Sequence, residues 1–302
     1  PHCSLPFEEA FVPFILIARK KLHADYDLLE EKACSEFEQE LLVSLNKLCV
    51  DTLYFEFSLF NISCRSSFEI FLSHVTETKE TDLYDNFIKK ILNDSWKDLL
   101  YKYPVMGRLI SVRIKCWVDS LSEFLRRLGE DLSLISIVFL KGEKPGKVTE
   151  VQPLLSDRHN GGRTVISVTF ESGLKLIYKP KDLSLEEVYF SLLSWFNEKG
   201  VKFKTVRIIN RKNYGWTECI EHLPCKNKEE GRNYYRRTGQ LLCLLYVLGC
   251  SDCHMENIIA SRDYPVLVDL ETLMQPEVRF REDKKYEKRV NLLASRQFFY
   301  SV

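Results

Sequence analysis

The sequence has no excess charge of either sign, because 43 Lys and Arg residues balance 43 Asp and Glu residues over 302 positions. Without net basic charge, the composition gives no indication of a face for nucleic acid or acidic membranes. Long hydrophobic runs are also missing. The longest apolar stretches, Phe11 to Ala18 and Leu241 to Gly249, are too short to cross a bilayer as helices. The composition therefore predicts a soluble chain whose partner must be sought in local motifs.

A secretory signal, an internal repeat and a low-complexity tract are absent as well. The ten cysteines lie at irregular spacings from Cys3 to Cys253, which is typical of reduced thiols in the cytosol rather than of a disulfide framework. We therefore expect a cytoplasmic location. The chain begins at Pro1 and ends just after an apolar, aromatic run, Asn291 to Tyr300, so we expect both ends to be cut.

Glycine and proline are rare up to about residue 140, and apolar residues recur there at helical spacing. This predicts a helical N-terminal region over residues 1–147. It ends at the stretch Lys141-Gly-Glu-Lys-Pro-Gly146, whose composition is that of a turn or short linker.

Beyond this turn the pattern changes to short β-type segments and two helices. Thr164 to Phe170 and Leu174 to Tyr178 flank Glu171-Ser-Gly173 and predict a hairpin. The helix predicted next has Leu185, Val188, Tyr189, Leu192, Leu193 and Phe196 on one face. The later elements predicted are strands at 206–209 and 216–220, a helix at 229–248 and a strand at 265–270.

This order of elements is that of a kinase-like unit with two lobes. We therefore predict an α+β fold in which the helical region precedes a small β-rich lobe, residues 148–223, and an incomplete helical lobe, residues 224–302.

Three spacings place phosphoryl-transfer chemistry on this fold. Lys179 follows Leu176-Ile-Tyr178, where a strand lysine would hold the α- and β-phosphates of ATP. Asp252 and Asn257 are separated like the base and the metal-binding amide of a kinase catalytic loop, and Asp269 ends an apolar strand where it can bind Mg²⁺. Glu186 or Glu187 could pair with Lys179, and the sequence does not choose between them.

Each feature alone has a plainer interpretation. A lysine after an apolar run is usually a surface residue, and an Asp-x-x-x-x-Asn stretch is usually a turn or a helix cap. The functional interpretation is favoured because all three features occur in kinase order with the expected elements between them.

Several longer motifs carry a family resemblance. They are Tyr103-Pro-Val-Met-Gly-Arg-Leu109, Ser156-Asp-Arg-His-Asn-Gly-Gly-Arg-Thr-Val165, Tyr178-Lys-Pro-Lys181, Ser251-Asp-Cys-His-Met-Glu-Asn-Ile-Ile-Ala260 and Val268-Asp-Leu-Glu-Thr272, with Pro13-Phe14 and Ala18-Arg19 near the start. Together they resemble the N-terminal dehydratase region of class II lanthipeptide synthetases, the LanM type, and they extend over essentially the whole chain.

The resemblance implies that Ser and Thr hydroxyls of a ribosomal precursor peptide with a leader are phosphorylated from ATP with Mg²⁺, and that phosphate is then eliminated to give dehydroalanine and dehydrobutyrine. A peptide exporter is a further candidate partner, and the resemblance implies zinc only in the family's cyclase domain, which we expect to lie outside this stretch. Family members place an arginine and a threonine needed for elimination beyond the position of Val302. We therefore expect this stretch not to complete dehydration.

The resemblance also implies roles for single residues. Asp157 and His159 would line the nucleotide site, and Glu271 would accompany the metal. The residues implied in phosphorylation are Lys179, Asp252, His254, Asn257 and Asp269.

Some of these residues have alternatives. Asp157-Arg-His159 could form a plain hairpin turn, and His254 could brace its loop rather than act near phosphate. Cys250, Cys253 and His254 also fit the C-x-x-C-H pattern of haem attachment or half of a zinc site, although small buried cysteines are the favoured interpretation.

Two other functions remain as alternatives. The first is a small-molecule phosphotransferase of kinase-like fold, and the second is a non-catalytic module that binds peptide or nucleotide.

Overall fold

The computed structural model of the protein describes residues 5–22, 26–64, 80–159 and 161–274. The chain divides into two compact units between Lys175 and Leu176. The boundaries predicted after residues 147 and 223 stay predictions. The apolar, aromatic run from Asn291 to Tyr300, near which the chain was expected to be cut, lies outside the described residues.

Helices make up most of the first unit, as the spacing of apolar residues predicts. Their bounds are α1, Glu8–Lys21; α2, Glu31–Cys64; α3, Glu80–Lys90; α4, Trp96–Lys102; and α5, Pro104–Leu140. A short 3₁₀ turn at Tyr26–Leu28 precedes α2, and a π-helical turn at Ile91–Ser95 joins α3 to α4. The predicted helical region is confirmed.

The core of the first unit lies between α2 and α5. Pro104 starts α5 because its fixed φ suits the first turn of a helix. The Phe37 and Phe124 rings from the two helices lie 5.7 Å apart between centroids, and the Trp117 indole donates a hydrogen bond to the Phe37 carbonyl at 3.2 Å. Lys141 ends α5 in the left-handed region, with φ 56°, at the predicted turn.

Two antiparallel strands complete the described part of the first unit. They are β1, Val148–Gln152, and β2, Ile166–Phe170. The Val151 amide donates to the Glu36 carboxylate at 2.7 Å, which attaches β1 to α2. After β2 a turn at 171–173 is closed by a bond from the Gly173 amide to the Phe170 carbonyl, with Gly173 at φ 80°.

The second unit combines strands with two helices. Strand β3, Lys175–Lys179, belongs to this unit from Leu176 onward, where it pairs antiparallel with β5, Gly215–Glu218. Strand β5 also pairs with β4, Ile208–Asn210. The other elements are the helices α6, Ser184–Glu198, and α7, Lys228–Val247, and the antiparallel strands β6, Ile258–Ser261, and β7, Tyr264–Leu267. The α+β class is confirmed.

Two details of the second unit differ from the sequence prediction. Val188 was expected on the buried face of α6, but it is 67% exposed, and Phe190 is buried instead. Glu186, Phe190 and Leu193 are three or four residues apart and therefore share the buried face of α6. Val188 lies on the opposite, exposed face. Strand β6 was not predicted, because its short apolar run directly follows a polar loop.

Along the described helices no segment has the length and apolar character that a membrane span needs.

Candidate active site

Lys179 lies at the end of β3, directly opposite Gly215 on β5. Its side chain is only 11% exposed. The ammonium donates a hydrogen bond to the Val268 carbonyl at 2.7 Å and lies 3.7 Å from Glu186 Oε1. Burial lowers the pKa of Lys179, an effect that the negative charge of Glu186 partly opposes. The lysine is therefore held in a nearly dry position with one carboxylate beside it.

Two adjacent glutamates in the first turn of α6 have different environments. Glu186 is buried and faces Lys179. Glu187 is exposed and accepts a hydrogen bond from the side-chain nitrogen of Asn210 at 2.9 Å. The structure thus places Glu186, and not Glu187, at ion-pair distance from the lysine.

A second lysine, Lys181, joins the carboxylates of this site. Its ammonium lies 2.7 Å from Glu271 Oε1, 3.3 Å from Asp269 Oδ1 and 3.7 Å from Glu186 Oε1. Burial, the largest single influence, lowers the pKa of Lys181, but the hydrogen bond to Glu271 and the nearby carboxylates together raise it above the ordinary value. No role for Lys181 was predicted from the sequence. Its only signal was its position two residues after Lys179 in the same motif.

The loop before β6 brings three predicted residues together. The His254 ring nitrogen Nε2 lies 3.2 Å from Asp252 Oδ1, and the Asn257 side-chain nitrogen lies 3.0 Å from the Asp252 carbonyl oxygen. His254 Nδ1 accepts a hydrogen bond from the Glu256 amide at 3.2 Å. Because Nδ1 accepts, the neutral ring carries its proton on Nε2, which can donate to Asp252. His254 therefore both braces the loop and orients the aspartate.

Backbone pairing brings Asn257 and Asp269, two of the three predicted metal ligands, to one end of the β6–β7 pair. Ile258 pairs with Leu267, and the Val268 amide donates to the Asn257 carbonyl at 2.9 Å. Asn257 directly precedes β6, and Asp269 follows β7 by two residues. The Asp252 amide donates to the Thr272 hydroxyl oxygen at 3.1 Å, which fixes the start of the loop.

The oxygen ligands in this region suit a hard divalent cation. Asp269 and Glu271 offer carboxylates that already converge on one cation, the ammonium of Lys181. Asn257 can offer its amide oxygen, because its nitrogen makes the contacts to Asp252. Carboxylate and amide oxygens are ligands that Mg²⁺ accepts, usually together with water. The donor chemistry of Asn257, Asp269 and Glu271 therefore fits Mg²⁺.

Cys250 and Cys253 belong to the packing of the second unit. Cys250 lies in the apolar core, and Cys253 packs against it with its sulfur 3.0 Å from that of Cys250. Burial, with the neighbouring Cys250, raises the pKa of Cys253 to about 12. These surroundings are those of small buried thiols, as favoured from the sequence.

Asp157 and His159 lie in the first unit, in an exposed turn. The backbone amide and carbonyl of His159 bond to the carbonyl and amide of Arg163, both at 2.9 Å, with Gly161 and Gly162 at positive φ between them. This geometry is that of the plain hairpin turn considered from the sequence. A role of Asp157 and His159 toward nucleotide stays a prediction.

Two ion pairs attach this turn to the helices of the first unit. Arg158 lies 2.5 Å from the Glu40 carboxylate on α2, and Arg163 lies 2.6 Å from Glu123 on α5. Glu40 also pairs with the half-buried Arg113 of α5. The helical region therefore positions the segment that carries Asp157 and His159.

Comparison with known proteins identifies related sequences. A protein-family model described as "Domain of unknown function (DUF4135)" matches residues 103–300. The chain is also similar to the "Lacticin 481/lactococcin biosynthesis protein LcnDR2" of Lactococcus lactis subsp. lactis, with 31% identity over 205 residues. Those residues are 65% of this chain but only 22% of the relative. The two matches confirm the resemblance to class II lanthipeptide synthetases.

Proposed function

We propose that this chain, which belongs to the family described as "Domain of unknown function (DUF4135)", acts in lantibiotic biosynthesis as the ATP- and Mg²⁺-dependent dehydratase part of a LanM-type enzyme. Its substrate would be a precursor peptide with a leader, handled in the cytoplasm. Ser and Thr of that peptide would be phosphorylated, and in the complete enzyme they would then lose phosphate to become dehydroalanine and dehydrobutyrine.

The observation that carries the proposal is the grouping of polar side chains in residues 176–274. Lys179 and Glu186 lie at ion-pair distance, Asp252, His254 and Asn257 share contacts in one loop, and Asp269 lies at the same end of β6–β7 as Asn257. Phosphoryl transfer requires positioning and charge neutralisation more than covalent catalysis, and these residue types supply both.

Asp252 is the residue that we assign to the acceptor hydroxyl. Its carboxylate would take the proton while the hydroxyl oxygen forms a bond to the γ-phosphorus and the bond from that phosphorus to the bridging oxygen of ADP breaks. His254 holds the carboxylate through Oδ1 and leaves Oδ2 toward Asn257. The loop therefore fixes the direction of Asp252 before substrate binds.

Lys179 would hold the phosphates of ATP from its buried position beside Glu186. Mg²⁺, when bound, supplies positive charge that neutralises the phosphate oxygens. Asn257, Asp269 and Glu271 would hold that ion. Asp157 and His159 are proposed to contact the nucleotide from the turn that Arg158 and Arg163 attach to the helical region.

Incubation of the protein with ATP, Mg²⁺ and a candidate precursor peptide, followed by mass spectrometry, tests this function. We expect peptide that has gained phosphate on Ser or Thr, and none when ATP is omitted or in the Asp252→Asn variant. ATP consumption that needs a small hydroxylated metabolite and leaves the peptide unchanged would favour the small-molecule phosphotransferase. Nucleotide or peptide binding without any turnover would favour the binding module.

A further inference from the structure

Lys181 lies among three carboxylates that come from two separate parts of the second unit. Glu186 belongs to the first turn of α6, and Asp269 and Glu271 follow strand β7. The ammonium is within 3.7 Å of an oxygen from each of the three. The Lys181 side chain is 30% exposed, and ion pairs near the surface contribute little to stability, so stability alone does not account for this grouping.

Glu186 provides a second, independent observation. Its Oε1 is buried and makes no hydrogen bond within the described part of the chain. That oxygen lies 3.7 Å from the ammonium of Lys179 and 3.7 Å from the ammonium of Lys181. A buried carboxylate oxygen without a hydrogen bond is costly, so this oxygen is available to a closer donor.

Among the described residues, the carboxylates of Glu186, Asp269 and Glu271 surround the ammonium of Lys181. Carboxylate oxygens are also the ligands that a hard divalent cation prefers. A divalent cation bound by Asp269 and Glu271 would lie at the place that the Lys181 ammonium occupies, and repulsion between the two cations would displace the lysine.

We propose that Lys181 occupies the divalent-cation position in the nucleotide-free protein and that the arriving metal displaces its ammonium toward Glu186 Oε1 and a phosphate of the nucleotide. Lys181 is then a second phosphate-binding lysine beside Lys179, and Asp269 and Glu271 exchange an ammonium for a metal ion. This inference rests on the proposed function.

Binding measurements on the purified protein test the exchange without any activity assay. Mn²⁺ is the metal probe, because its electron paramagnetic resonance signal reports the free ion. In the Lys181→Met variant we expect Mn²⁺ to bind about tenfold more tightly without nucleotide, since the competing ammonium is gone. We expect a non-hydrolysable ATP analogue with Mg²⁺ to bind about tenfold more weakly to the same variant.

Two further variants control the measurement. Lys202→Met removes an exposed lysine from the segment between α6 and β4 and should leave both affinities unchanged. Lys181→Gln provides the same test with a polar side chain, and circular dichroism shows which Lys181 variant to use if one of them does not fold.

The outcomes separate this inference from the proposed function. Unchanged or weaker Mn²⁺ binding in folded Lys181 variants overturns the exchange, while loss of Mn²⁺ binding in Asp269→Asn still supports the proposed metal site. If the unaltered protein binds neither Mn²⁺ nor the ATP analogue, the proposed function fails, and the exchange fails with it.

Discussion

The side-chain nitrogen of Asn257 bridges the backbone and the side chain of Asp252. It lies 3.0 Å from the Asp252 carbonyl oxygen and 3.3 Å from Asp252 Oδ2, while His254 Nε2 lies 3.2 Å from Oδ1. Both carboxylate oxygens therefore have a polar neighbour, although the side chain is half exposed. The loop orients an aspartate that remains accessible to a substrate.

The first prediction follows from that orientation. Asp252→Asn should abolish peptide phosphorylation, because an amide cannot take the hydroxyl proton. Lys179→Ala should cost less, about 3 kcal/mol of transition-state stabilisation or roughly a hundredfold in rate. Phosphopeptide formation measured over time by mass spectrometry gives both values. Glu256→Gln, an exposed neighbour in the same loop, serves as the control, and near-normal phosphorylation by Asp252→Asn would show that the aspartate is wrongly assigned.

Glu186 and Glu187 form a matched pair for the second prediction. Glu186→Gln should weaken binding of an ATP analogue by about tenfold, because Lys179 and Lys181 lose their shared carboxylate. Glu187→Gln should have little effect, since its contact is with Asn210 at the surface. Fluorescence titration with a labelled analogue measures both affinities. Equal losses in the two variants would contradict the assignment of Glu186.

The third prediction concerns the attachment of the 157–163 turn to α2. Glu40→Ala should destabilise the protein by about 3 kcal/mol, because it leaves the half-buried Arg113 guanidinium without its carboxylate. Arg158→Ala, at the exposed end of the same group, should cost about 1 kcal/mol or less. Chemical denaturation followed by circular dichroism measures both.

His159→Ala should hardly change stability, because that residue closes the turn through its backbone. A large loss of stability in this variant would show that the His159 side chain supports the fold.

The sequence was most informative where one physical rule decides the structure. Helical periodicity predicts α5, and the Gly173 turn after a β-branched run predicts β2 and its connection. The partner of Lys179 could not be predicted, because adjacent residues of a helix point about 100° apart and only packing shows which one faces the strand. The contacts of Lys181 were equally inaccessible, since Asp269 and Glu271 come from a distant part of the chain.

The fourth prediction is a dependence of stability on pH. Burial raises the pKa of Cys49 from 9.0 to about 12. Between these values the unfolded chain has lost this proton while the folded chain keeps it, so the free energy of unfolding falls as pH rises, by up to about 1.4 kcal/mol per pH unit. Well below pH 9.0 both states keep the proton, and this cysteine contributes no slope. Denaturation midpoints from pH 8 to pH 11 should fall less steeply for Cys49→Ala, whereas Cys243→Ala, at an exposed cysteine, should retain the slope of the unaltered protein.

The last prediction links the second-unit strands to the lysine of the site. Gly215 on β5 lies opposite Lys179, and a β-carbon at this position would lie 2.5 Å from the Ile209 carbonyl oxygen and collide with the Leu183 side chain. Because one of these atoms belongs to the backbone of β4, Gly215→Ala has to separate two strands, which should cost about 1 to 3 kcal/mol and also weaken binding of the ATP analogue by moving Lys179. The matched control is Gly231→Ala in α7, where the added methyl group meets open space and should stabilise the helix by up to about 1 kcal/mol. Thermal unfolding and the labelled-analogue titration give the two readouts. A Gly215→Ala variant with unchanged stability and affinity would show that the close approach of β4 and β5 does not set the position of Lys179.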